Sequence, residues 1–151
     1  MFTKLDLCWG YNNVRIKEGD KWKTAFTMHI GSYKLMVMYF GLTNSPTTFQ
    51  MIMNNLFWDM VNQGSMATFI NNIIVATDTK EEHDEIVEEV LRRLEENNLF
   101  VKPKKYRWKM REVEFLGVVI GPGGVKMQKK KVDGCHEPPV QTITNGYLLG
   151  L

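Results

Sequence analysis

At 151 residues and 44% hydrophobic content, the chain is long enough for one core-bearing domain and too short for two comfortable ones. A formal net charge of +2 does not announce a nucleic-acid binder, and no apolar run approaches a membrane span. Cys8 and Cys135 match no metal spacing, and Met1 to Asp6 lacks the apolar region of a signal peptide, so a reduced, intracellular protein, cytoplasmic or nuclear, is expected.

In chain order, Phe2 to Leu7 predicts a strand. Asp6 sits between Leu5 and Leu7, where a carboxylate is costly unless it emerges at a strand end or meets a cation. Val14 to Ile16 alternate, Lys17 to Lys21 read as a polar turn, and Thr24–His29 and Tyr33–Met38 predict a meander joined at Gly31-Ser32. Phe40 to Pro46 is a loop leading into a helix, with Ser45 as N-cap and Pro46 at the first helical position. Phe49, Met53, Leu56, Phe57 and Met60 recur at helical spacing up to Gly64.

The runs Met66 to Ile70 and Ile73 to Ala76 are joined by Asn71-Asn72, which predicts a tight hairpin with two amides at an exposed tip. Asp78 or Thr79 starts a second helix with the stripe Ile86, Val87, Val90, Leu91 and Leu94; His83 beside it reads as structural. Phe100-Val101, Tyr106 to Trp108 and Val113 to Ile120 read as strands, and Gly121 to Gly124 turns the last into Val125 to Met127. Acids gather from Glu81 to Glu96 and bases from Lys102 to Lys131, which charge alone assigns to solvated faces. The expected fold is α+β: an antiparallel sheet with two main helices on one face. If the first strand neighbours the hairpin, Asp6 meets Asn71 and Asn72.

Together these segments resemble the palm of a reverse transcriptase (RNA-directed DNA polymerase) of the gypsy-type LTR retrotransposon family. Leu5-Asp6-Leu7-Cys8-Trp9-Gly10-Tyr11 is similar to that family's first polymerase motif, with Asp6 at the metal-binding carboxylate. Phe40-Gly41-Leu42-Thr43-Asn44-Ser45-Pro46-Thr47-Thr48-Phe49-Gln50 resembles the second, which contacts template and incoming nucleotide. Phe69-Ile70-Asn71-Asn72 falls where the family has Tyr-x-Asp-Asp, and Val113-Glu114-Phe115-Leu116-Gly117 is similar to the segment gripping the primer end. The resemblance therefore implies catalytic positions at Asp6, Asn71 and Asn72, a metal ligand at Asp6, and nucleotide or nucleic-acid contacts at Phe40, Gly41, Gln50, Phe69, Phe115, Leu116 and Gly117. It implies a palm over residues 1–132 without the family's fingers or full thumb, and a degenerate, weakly ordered tail over 133–151.

The two amides decide the expected chemistry. Two-metal nucleotidyl transfer needs carboxylates that clamp the ions, and Mg²⁺ prefers anionic oxygens in octahedral geometry. Asp6 alone keeps its charge, so Mg²⁺, implied by the resemblance, is expected to bind weakly at best and no cofactor tightly. Asparagines also suit a turn and hydrogen-bond without mutual repulsion, so the fold is expected to survive while polymerisation is lost. The alternatives are a non-catalytic nucleic-acid-binding module, with RNA or DNA on the basic stretch, Arg15, Lys17, Trp9, Tyr11 and Trp108, or a protein-interaction module that self-associates. A residual metal-dependent nuclease at Asp6 ranks last.

Overall fold

The computed structural model describes residues 1–103 and 105–128. In chain order the strands are β1 (Phe2–Cys8), β2 (Ala25–Met28), β3 (Gly31–Lys34), β4 (Met66–Phe69), β5 (Asn72–Ala76), β6 (Phe100–Val101), β7 (Arg107–Met110), β8 (Val113–Phe115), β9 (Val118–Gly121) and β10 (Gly124–Met127). The α-helices are α1 (Ser45–Leu56), α2 (Trp58–Asn62) and α3 (Lys80–Glu96).

Strand β1 alternates strictly between buried and half-buried positions, and this period of two decides what packs where. Thr3, Leu5 and Leu7 are buried on one face; Phe2, Lys4 and Asp6 point to the other. β1 pairs antiparallel with β5, β6 and β7, and β4 pairs with β5, giving a five-stranded sheet. The helices cover the Leu5–Leu7 face. Phe49 and Met53 of α1, Phe57 at its end, and Val87, Val90 and Leu94 of α3 join Leu5, Leu7, Ile73 and Val75 in one core cluster. Each such side chain contributes about 1.5–3 kcal/mol when fully buried.

The opposite face is partly covered by a three-stranded sheet, β10-β9-β8. Val113 and Phe115 pack there on Ile74, flanked by Phe2 and Ile120. Ile73, Ile74 and Val75 are therefore buried in succession, on both faces of β5. The expected α+β architecture with helices on one face is what the chain adopts.

Several boundaries differ from the predicted ones. The predicted single helix breaks at Phe57, whose φ of −119° leaves helical geometry while its ring stays fully buried. Arg93 of α3 seals the break, donating to the Leu56 carbonyl at 3.0 Å and to both oxygens of Asp59 at 2.6 Å. Its guanidinium lowers the Asp59 carboxyl to about 2. The N-cap of α1 is Asn44 rather than Ser45, whose hydroxyl instead donates to the Tyr39 carbonyl. Thr79 caps α3 as expected, accepting from the Glu82 N–H.

Val14 to Ile16 form only an isolated bridge, Arg15↔Val37, and 3-10 turns occupy Gly10–Asn13 and Glu18–Thr24. The β2–β3 hairpin turns at His29–Ile30, two residues before the predicted Gly31-Ser32, and lies wholly exposed. Val113 to Ile120 is not one strand. Leu116 (φ 50°) and Gly117 (φ 84°) form a two-residue turn between β8 and β9, the left-handed pair of a type I′ hairpin.

His83 is fully buried between two hydroxyls, Thr3 Oγ1 at 2.6 Å from Nε2 and Thr77 Oγ1 at 2.8 Å from Nδ1. Burial pushes its pKa down, so a neutral ring pins α3 to the sheet, a structural role. The predicted tail over 133–151 lies outside the described residues.

Candidate functional site

The β4–β5 hairpin is one residue out of step with the sequence expectation. Phe69 pairs with Asn72, so the turn is Ile70–Asn71 and Asn72 is the first residue of β5. Only the first turn residue, Ile70 (φ 51°), is left-handed, the pattern of a type II′ turn. A β-branched residue there stores on the order of 1–3 kcal/mol of strain, and Gln50 holds it in place. Gln50 Oε1 accepts from the Ile70 N–H at 2.6 Å, while Nε2 donates to Thr68 O at 3.2 Å, Thr68 Oγ1 at 3.1 Å and Asn54 Oδ1 at 2.7 Å. The Gln50 amide is thus committed to the hairpin.

This register separates the two amides. Asp6 pairs directly with Asn72 across β1–β5, and the two side chains share the face opposite the helices. Asn71 O accepts from the Leu7 N–H at 2.8 Å, stitching the turn to β1. The Asn71 side chain turns inward, and its Oδ1 is buried with no hydrogen-bond partner. It sits against Gly10, where a Cβ would lie 2.4 Å from Asn71 Oδ1 and 2.7 Å from Phe49 Cζ. Two expectations are corrected: the amides are half-buried rather than an exposed tip, and Asn71 Oδ1 gains no compensating bond.

Asp6 is not a free carboxylate. Lys102 Nζ donates to Asp6 Oδ1 at 2.8 Å, and Lys105 Nζ lies 3.8 Å from Oδ2. The Asp6 side chain is 16% exposed, so this pair is little screened. The Lys102 backbone N–H also donates to the Asp6 carbonyl at 2.8 Å, which fixes the lysine at this point.

These residues do not fit a pair of divalent ions. One carboxylate is already neutralised by an ammonium, one amide oxygen is buried away from it, and the other is a neutral dipole. Among the described residues no group of three His, Cys, Asp or Glu side chains could hold a metal.

The remaining predicted residues scatter around this point. Phe40 is exposed and meets the Tyr11 ring edge-on at 4.9 Å, with Gly41 (φ 149°) next to it in the turn before α1. Phe69 is half-exposed and lines a groove with Pro46, Gln50, Met51 and Trp58. Phe115 belongs to the second core cluster, while Leu116 and Gly117 form the β8–β9 turn. Of the aromatics proposed for base stacking, Trp9 and Trp108 are exposed but Tyr11 is buried against Phe49. Sequence reasoning missed Lys102 and Gly10. The signal for Lys102 was its place just past a short strand that pairs with the end of β1; for Gly10 it was a glycine between two aromatics.

Residues 1–120 match the family described as "Reverse transcriptase (RNA-dependent DNA polymerase)". The retrovirus-related Pol polyproteins from transposons 297 and opus of Drosophila melanogaster are 32% and 33% identical over 141 residues, 93% of this chain. That from transposon gypsy is 28% identical over 138 residues, 91% of this chain. The chain spans only 13%, 14% and 13% of these polyproteins, respectively. Among solved structures, the foamy viral protease-reverse transcriptase in complex with dsDNA superimposes with a TM-score of 0.80 at 26% identity, covering 91% of this chain and 28% of that one. The same enzyme in complex with RNA/DNA hybrid gives 0.78 at 27% identity, covering 90% and 18%. A family match over four-fifths of the sequence, and a fold shared with solved members, place this chain in the reverse transcriptase (RNA-dependent DNA polymerase) family.

Proposed function

We propose that this chain is a retroelement-derived palm module that holds nucleic acid and does not join nucleotides. The observation that carries this reading is the Asp6–Asn72 pair, in which the one carboxylate at the hairpin is bound to Lys102 and faces an amide. Mg²⁺, which the family resemblance implies, has no second carboxylate at this hairpin among the described residues to complete a two-ion clamp. Nucleic-acid binding is supported by the foamy viral relatives, solved with dsDNA and RNA/DNA hybrid. It is supported also by exposed Trp9, Trp108, Lys17 and Arg107, which supply flat rings and cations of the kind that hold bases and phosphates. An intracellular location, cytoplasmic or nuclear, is part of the same proposal.

Primer extension with Mg²⁺ or Mn²⁺ is expected to give no more product than the Asp6→Ala variant. Filter binding of a primer–template duplex is expected to weaken with salt; three phosphate contacts would give roughly a 40-fold loss between 50 and 200 mM salt. Elongation above the variant sinks the first half of the reading, and salt-insensitive binding the second.

Self-association is proposed on the groove beside α1, where Met51 and Trp58 are more than half exposed and Phe69 nearly so. Light scattering is expected to report a dimer or larger species whose mass falls in Trp58→Ser. A monomer at high concentration overturns this part.

A further inference from the structure

We infer that Lys102 is the resident cation of this site: its ammonium occupies the lone-pair region of Asp6 that a divalent ion would need, so the site is closed to metal by the lysine as well as by the amides. This rests on the reading above that the Asp6–hairpin junction corresponds to the family's ion position.

The geometry is specific. Lys102 Nζ reaches Asp6 Oδ1 at 2.8 Å, a charge-assisted hydrogen bond, and the side chains are 36% and 16% exposed. The lysine's backbone is anchored at this point, because its N–H is held by the Asp6 carbonyl at 2.8 Å. Lys105 stands 3.8 Å from the other oxygen, so both oxygens of the carboxylate face ammonium groups. A divalent ion approaching Asp6 would meet two positive charges at contact range, and Coulomb repulsion there opposes whatever a restored carboxylate adds. Replacing asparagine by aspartate is therefore not sufficient to recover ion binding.

Asn72→Asp is the milder restoration, since Asn72 is half-buried opposite Asp6, whereas Asn71 would bury a charge against Gly10 and Phe49. The test is Mn²⁺ titration by calorimetry of N72D and of N72D/K102M, with thermal melting as the check on folding. Methionine keeps the aliphatic stem of Lys102 and leaves its backbone bond intact; K102Q replaces it if the first double variant does not melt cooperatively. The double variant is expected to bind Mn²⁺ at least about tenfold more tightly than N72D, and adding Asp6→Asn is expected to abolish that binding. Equal affinity in N72D and the double variant overturns the role of Lys102 while leaving the ion position standing. A folded double variant that binds no Mn²⁺ overturns both.

Discussion

Phe49→Ala is expected to lower the unfolding free energy by about 3–5 kcal/mol, a large share of the roughly 5–15 kcal/mol available to a domain of this size. Phe49 is fully buried, meets Tyr11 edge-on at 5.4 Å, and closes on the Gly10 backbone. Truncation leaves a cavity between α1, the sheet and the Gly10–Asn13 turn, three elements that cannot collapse together because β1 and α1 are each fixed by other contacts. Urea unfolding followed by circular dichroism measures the loss. A change below about 1 kcal/mol would mean that α1 is not seated as described.

The second large effect is expected at Gly10→Ala. The added methyl would stand 2.4 Å from Asn71 Oδ1 and 2.7 Å from Phe49 Cζ. Both are closer than atoms pack, so the hairpin turn or the buried ring must move. Overpacking of this kind costs about 1–3 kcal/mol, offset in part by about 0.4–1 kcal/mol from the stiffer unfolded chain. Since the Asn71 oxygen is one of the two obstacles, G10A should cost less in an Asn71→Ala background. A double-mutant cycle is expected to return a coupling of about 1 kcal/mol. No coupling would place the Asn71 side chain elsewhere. The Asn71→Ala variant alone is expected to be no less stable than the parent, because it removes a buried acceptor that has no donor.

The large features of the fold were legible because they rest on periodicity. The strand Phe2 to Leu7 and the stripe Val87, Val90 and Leu94 are decided by which residues avoid water, and the structure buries Leu5, Leu7 and that stripe. The register of the hairpin was not legible. Asn71-Asn72 looks like the natural turn pair, yet the turn takes Ile70 into left-handed geometry instead. The reason is non-local: Gln50, on α1, accepts from the Ile70 N–H, and β5 sets its buried Ile73 and Val75 against Leu5 and Thr3. Local turn preference yields to those contacts. Likewise the Leu116-Gly117 turn hid inside what reads as one apolar run, because leucine carries no turn signal.

The candidate site was half legible. That Asp6 lies beside the hairpin followed from the motifs, and the register sets it opposite Asn72. That its charge is already answered did not follow, because Lys102 arrives from just past β6, 96 residues later in the chain. Ion pairs across such separations leave no pattern in a sequence. The basic stretch read there as a solvated face therefore contains lysines with carboxylate partners, Lys102 on Asp6 and Lys109 on Asp84.

Strand β5 has a bonded neighbour on each edge, β1 and β4, and covered side chains on both faces. Freeing its amides from solvent protection requires dismantling the whole domain, whereas the exposed β2–β3 arm can open by itself. Asn72 is the first residue of β5, so the surface that would meet a nucleic-acid strand is moored to the part of the molecule that loosens last.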